Sequence, residues 1–137
     1  ADGNSPPKGV RDLRNAITAC DGLILVSPEY NYGMPGVLKN ALDWASRPAF
    51  ASVLKNMPVL IVTATPSPTG GVRAHAQLRD TLAGTLSRVV AMRQVTIAGI
   101  DQKLEGGRLH HPDTIQFLRD ALTNLVHEIR MVRSVPA

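Results

Sequence analysis

The sequence predicts an α/β fold in which helices cover both faces of a parallel sheet. Short apolar runs lie at residues 22–26 and 59–62, and such runs are typical of strands that are buried on both faces of a parallel sheet. Segments with helically spaced apolar residues alternate with these runs, as in βαβ units. At 137 residues, with 44% hydrophobic and 19% charged, the chain has the size and composition of one globular domain.

The predicted order begins with a helix at residues 7–19, whose apolar residues lead up to the first strand at 22–26. Asp21 and Ser27 bound that strand, and its apolar residues predict cover on both faces. The next helix begins at Pro35, which suits the first helical position, and ends before Pro48.

The second strand, residues 59–62, precedes a cluster of Thr, Pro, Ser and Gly at 63–71. A helix at 72–88 follows. A looser strand at 89–97 contains Arg93 and Gln94, which indicate one solvated face or an edge position. The last predicted element is the clearest. It is a helix at 112–130 with one apolar stripe.

The net charge of +4 comes from scattered cations rather than from a cluster, which argues against nucleic-acid binding. The longest uncharged stretch, residues 56–72, contains three prolines and two glycines, so no membrane span is expected. The lone Cys20 cannot form an internal disulfide, and we expect a buried, unreactive thiol in a cytoplasmic protein.

Ligands of open α/β sheets bind beyond the carboxyl ends of the strands, which places the segment after residue 26 at a candidate site. Residues 28–36 combine a carboxylate, two tyrosines, an amide and two glycines ahead of a helix. Such a loop presents flat apolar surface together with hydrogen-bonding edges, which suits a heteroaromatic ligand. Taken alone, however, the segment is better explained as a tight strand-to-helix turn, since Asn and Gly are turn residues.

The same segment resembles a known family. Residues 28–44 match the string Pro-Glu-Tyr-Asn-x-x-x-Pro-Gly-x-Leu-Lys-Asn-Ala-x-Asp-Trp, which is similar to that of the flavodoxin-like NAD(P)H-dependent FMN reductases and their quinone, chromate and azo-dye reductase relatives. The resemblance covers about residues 8–130. It implies a flavodoxin-like three-layer α/β/α sandwich, bound FMN, and NAD(P)H as the hydride donor.

In that family the Pro-Glu-Tyr-Asn loop wraps the flavin ring, which implies roles for Pro28, Glu29, Tyr30 and Asn31. The loop after the next strand also approaches the flavin and implicates Thr65. Hydride then passes to a small acceptor such as a flavin or quinone, with the cofactor carrying the chemistry, so no catalytic side chain is assigned. The resemblance also implies a homodimer or homotetramer, with the helices from residues 35 and 72 as contact surfaces.

The family also carries a Gly-Ser-x-Arg-x-x-Ser loop that holds the FMN phosphate, and the sequence has no such segment. We expect about the first 50 residues of the family's domain, including its N-terminal strands, to be missing, so that the chain is the C-terminal three-quarters of one domain. The strand at 22–26 would then have an unpaired edge. An alternative function is a non-catalytic flavodoxin-like interaction module that binds FMN weakly or not at all.

Three other features have simpler explanations. Gly70 and Gly71 precede a helix and would admit a nicotinamide-cofactor phosphate beside Arg73, but an ordinary turn is favoured. His110 and His111 lack the further ligands of a metal site. His75 is expected to be solvated or partly packed. The choice between NADH and NADPH stays open.

Overall fold

The computed structural model describes residues 5–134 and shows helices and strands that alternate along the chain. The 3-10 helix Ile100–Lys103 and a small antiparallel hairpin at residues 104–109 precede the last helix. The elements are α1 (Lys8–Thr18), β1 (Leu23–Ser27), α2 (Gly36–Ala45), β2 (Pro58–Thr65), α3 (Val72–Gly84), β3 (Arg88–Val89), β4 (Val95–Ala98), β5 (Leu104–Glu105), β6 (Arg108–Leu109) and α4 (Pro112–Ser134).

The main sheet is parallel and is built around β2. Strand β1 pairs with β2 from Leu23 opposite Val59 to Ser27 opposite Thr63. Strands β3 and β4 both pair with the other side of β2. The central strand is buried at all but one of its positions, because helices pack on both of its faces. The predicted α/β class with a parallel sheet is therefore confirmed.

Two apolar cores flank the sheet. Helices α1, α2 and α3 contribute to one core, in which Leu54, Leu78 and Leu82 are fully buried. Helix α4 covers the opposite face, where Ala121 and Leu125 pack against residues of β2 and β4. The three-layer arrangement predicted from the family resemblance is confirmed.

The prediction of one continuous strand at 89–97 is wrong. The structure has two short strands, separated by residues 90–94. Arg93 and Gln94 lie in this interruption and are exposed, and the Arg93 guanidinium lies 4.2 Å from the centre of the Phe117 ring. The predicted edge position is confirmed for β4, because within residues 5–134 its only pairing partner is β2.

The prediction that β1 is covered on both faces is also wrong. Ile24 and Val26 are 47% and 66% exposed, although their pairing partners Leu60 and Val62 are buried on the α4 side. Helix α4 covers β2 but leaves these two side chains in solvent. Across residues 5–134, β1 pairs only with β2.

Two side chains lie in environments opposite to those predicted. Cys20 is exposed rather than buried, because it follows α1 in the turn that leads to β1. His75 is buried at 2% exposure, because it lies on the inner face of α3 between Ala74 and Leu78. In the part of the chain that the structure describes, no helix is both long enough and apolar enough to cross a membrane.

Candidate functional site

The candidate site lies where β1 and β2 end. Strand β1 ends at Ser27 and continues directly into residues 28–33, here called the 28–33 loop. Strand β2 extends two residues past Thr63, the partner of Ser27, and ends at Thr65. Because the strands are parallel, the 28–33 loop and the residues after Thr65 lie at the same edge of the sheet, as the sequence predicted for a ligand site.

The 28–33 loop closes on itself through its backbone. The Tyr30 nitrogen donates to the Gly33 carbonyl at 2.9 Å, and the Gly33 nitrogen donates to the Tyr30 carbonyl at 3.0 Å. Between them, Asn31 and Tyr32 adopt positive φ angles of 49° and 66°, the pattern of a tight I′ turn. Glycine is the usual second residue of such a turn, so the tyrosine there is held in a costly conformation.

The Glu29 side chain caps helix α3 from the neighbouring loop. Its Oε2 accepts hydrogen bonds from the backbone nitrogens of Arg73 at 3.0 Å and Ala74 at 3.1 Å. These are the first-turn donors that an N-cap side chain normally satisfies. The N-cap position itself is Gly71, which has no side chain. A carboxylate also suits the positive end of the helix dipole.

Arg73 and Gln77 of α3 make three further contacts with the 28–33 loop and with Met34, which follows it. The Arg73 guanidinium lies 4.2 Å from the centre of the Tyr32 ring, and its Nη1 lies 3.7 Å from Glu29 Oε1. One turn later, Gln77 Oε1 accepts the backbone N–H of Met34 at 2.7 Å. A Cβ on Gly33 would lie 2.6 Å from that same oxygen, so the close approach of Gln77 requires glycine there.

Hydroxyl groups line the other side of the candidate site. Thr65 is buried, and its Oγ1 lies 2.9 Å from Ser67 Oγ. Ser67 Oγ lies 3.0 Å from Thr69 Oγ1, and both residues are exposed. The three hydroxyls thus lead from the end of β2 to the surface, and they supply both donors and acceptors.

The structure brings the predicted site residues to one edge of the sheet but gives their side chains different environments. Tyr30 is 62% exposed and Asn31 is also exposed, whereas the Glu29 carboxylate is 11% exposed and bonded to α3. The exposed ring, the amide and the hydroxyls fit the face and the polar edge of a flavin ring. The Glu29 carboxylate instead accepts hydrogen bonds from the start of α3.

The sequence analysis did not predict that Tyr32, Arg73 and Gln77 contribute to the contacts between this loop region and α3. Arg73 and Gln77 lie more than 40 residues along the chain from the groups that they contact, and no local pattern marks them. The anion position at the start of α3 is filled by Glu29, which contradicts the weaker idea that Gly70 and Gly71 admit a cofactor phosphate there.

Other candidate features lie away from this edge. A cavity of about 420 Å³ lies between β4 and the start of α4, with Arg93, Lys103 and His111 in its lining. His111 Nδ1 lies 3.3 Å from the Thr114 backbone nitrogen, within hydrogen-bonding distance, so this histidine caps α4. Within residues 5–134, no three His, Cys, Asp or Glu side chains are grouped so as to hold a metal ion.

Comparison with known proteins identifies the family. The sequence model described as "NADPH-dependent FMN reductase" matches residues 1–102. The chain belongs to the NADPH-dependent FMN reductase family. The family resemblance seen in the sequence is therefore confirmed, and FMN and NAD(P)H are the cofactors of this family.

Individual relatives agree with this assignment. The chain is 34% identical over 128 residues to an NAD(P)H-dependent FMN reductase of Pseudomonas aeruginosa. The alignment covers 93% of this chain and 69% of the relative. It is 46% identical over 77 residues to a 2-hydroxy-1,4-benzoquinone reductase of a Burkholderia species, which covers 56% of this chain and 42% of the relative. The chain thus spans less than half of the Burkholderia reductase and about two thirds of the Pseudomonas reductase.

A solved structure shows the same fold. The flavoenzyme NAD(P)H:(acceptor) oxidoreductase FerB from Paracoccus denitrificans superposes with a TM-score of 0.83 and 26% identity, covering 95% of this chain and 78% of FerB. The flavodoxin-like family fold extends over nearly all of the chain.

Proposed function

We propose that this FMN reductase family member binds FMN at the 28–33 loop and reduces a small acceptor with hydride from NAD(P)H. The observation that carries the proposal is the geometry at the carboxyl edge of the sheet. There the family's Pro-Glu-Tyr-Asn segment forms a preorganised turn beside the hydroxyl groups that follow β2. Hydride transfer is the chemistry that FMN supplies when bound.

The chain's own residues bind and orient the ring. Pro28, Glu29, Tyr30 and Asn31 contribute backbone groups, an exposed aromatic face and an amide, and Thr65 contributes a hydroxyl from the opposite side. The exposed Tyr30 ring also excludes water from one side of a flat ligand. No described side chain is needed to transfer a proton, so we assign no catalytic acid or base.

A quinone or a free flavin is the proposed acceptor class, because the relatives include quinone and FMN reductases. We further propose that the chain forms one domain, works in the cytoplasm, and associates as a homodimer or homotetramer through α2 and α3. Val37 on α2 and Val72 on α3 are 81% and 39% exposed, which is consistent with contact surfaces on these two helices.

The direct test is titration of the chain with FMN, followed through quenching of flavin fluorescence, and then an assay of NAD(P)H-dependent quinone reduction. We expect saturable binding together with turnover. The variant Asn31→Ala should weaken binding by about tenfold, the loss expected for one or two hydrogen bonds. Asn40→Ala, an exposed amide on α2, is the matched control. A folded chain that binds no FMN would overturn the proposal and favour a non-catalytic module.

A further inference from the structure

The 28–33 loop holds its shape against an unfavourable backbone conformation. Asn31 and Tyr32 both have positive φ, and a non-glycine residue in this region costs about 1–2 kcal/mol. Such strain persists only where surrounding contacts determine the conformation. Two sets of contacts surround it. The Tyr30 and Gly33 backbone groups bond to each other across the turn, and α3 contacts the segment through Arg73, Ala74 and Gln77.

Among these contacts, the Glu29 carboxylate joins the most partners. One oxygen accepts two backbone N–H groups of α3, and the other faces the Arg73 guanidinium. That guanidinium in turn lies over the Tyr32 ring. Glu29 therefore links the start of the loop to its strained tip by way of α3, and its low exposure strengthens these charged contacts.

We infer that Glu29 is a positioning residue for the flavin. By capping α3 and holding Arg73 against the Tyr32 ring, its side chain sets the 28–33 loop in a binding conformation before the ligand arrives. The inference rests on the proposed function, and it assigns the Glu29 carboxylate to the loop rather than to the ligand. Preorganisation of this kind raises affinity because the ordering of the loop precedes binding.

The test compares Glu29→Ala and Glu29→Gln with the unchanged chain. Alanine removes the cap, whereas glutamine keeps one acceptor oxygen and turns an amide NH₂ toward Arg73. We expect FMN affinity to fall by about tenfold or more in Glu29→Ala and by an intermediate factor in Glu29→Gln. Glu105→Ala, a change of the same charge in the exposed β5–β6 hairpin, should leave FMN affinity unchanged.

Amide hydrogen exchange provides a readout that needs no ligand. The Tyr30 and Gly33 amides, which bond to each other's carbonyls, should exchange faster in both Glu29 variants, while the thermal midpoint of Glu29→Gln stays near that of the unchanged chain. Unaltered exchange at both amides would overturn the inference, whether or not FMN binds. Unaltered FMN affinity in Glu29→Ala would also overturn it. Failure of the unchanged chain to bind FMN would instead overturn the proposed function.

Discussion

His75 is a buried histidine with an unsatisfied ring nitrogen. It is 2% exposed, and its Nδ1 has no hydrogen-bond partner. Burial, together with the nearby positive charge of Arg79, lowers the pKa of His75 below its ordinary value of 6.5, although a hydrogen bond with the Ile61 backbone partly opposes the shift. The folded state therefore disfavours the protonated ring.

This shift predicts acid sensitivity. Well above pH 6.5 the ring is neutral in both the folded and the unfolded chain. The burial of His75 then does not lower the free energy of unfolding through protonation. Below pH 6.5 the unfolded chain takes up the proton first, and the free energy of unfolding falls as the pH falls, by at most about 1.4 kcal/mol per pH unit. Urea unfolding at pH 7.5 and pH 5.5 measures the difference, which should be smaller in His75→Gln.

The matched control is His127→Gln, since His127 is exposed on α4. That variant should keep the full pH dependence of the unchanged chain. Equal pH dependence in His75→Gln and the unchanged chain would contradict the assignment to His75.

At the scale of elements, the start of α3 is fitted against β4. Gly70 has φ +63°, and a Cβ there would lie 3.0 Å from the Ala98 nitrogen and 3.1 Å from the Ile97 nitrogen. Both contacts are with backbone, which cannot move aside as a flexible side chain can. Gly70→Ala should therefore lower the free energy of unfolding by about 2 kcal/mol or more, from the left-handed backbone and from displacement of β4.

Gly9→Ala is the control for this substitution, because no atom lies within 4 Å of its would-be Cβ in α1. Alanine there should stabilise by up to about 1 kcal/mol through its higher helix propensity. Chemical denaturation of both variants measures the contrast. A Gly70→Ala chain as stable as the unchanged one would show that the turn before α3 relaxes freely.

Most of the helices and strands were predictable from the sequence, but some strand bounds were not. Local patterns placed β1, β2 and the four helices, since apolar periodicity reports which faces are buried. Strand β2 was predicted too short, because Thr63 and Thr65 are polar yet buried. The local pattern did not show the division of the last predicted strand into β3 and β4, between which Arg93 contacts Phe117 of α4.

The candidate site was likewise predictable in part. The Pro-Glu-Tyr-Asn motif located the 28–33 loop, and the family resemblance implicated Thr65, which lies at the end of the neighbouring strand β2. The role of the Glu29 side chain was not predictable, because its partners lie 44 and 45 residues along the chain. The sequence thus located the 28–33 loop and Thr65, but the packing of α3 determines that the Glu29 side chain is buried while Tyr30 and Asn31 are exposed.

On the scale of the whole molecule, the α4 side of β1 is an exposed apolar surface. Ile24 and Val26 lie there, and Leu122 and Val126 on α4 are 43% and 44% exposed. The two α4 residues also line a cavity of about 370 Å³. Across the described range no other strand pairs with the outer edge of β1, so apolar side chains and unpaired backbone groups occur together.

This surface predicts that the chain binds an apolar dye such as anilinonaphthalene sulfonate while folded. Val26→Lys should reduce the dye fluorescence by about half, because a charge on an edge strand opposes both dye binding and strand pairing. Val37→Lys on α2 is the control, since Val37 is 81% exposed on a different surface. It should leave dye binding unchanged and, if α2 is a subunit contact, lower the sedimentation coefficient. Equal dye fluorescence in Val26→Lys and the unchanged chain would show that the dye binds elsewhere.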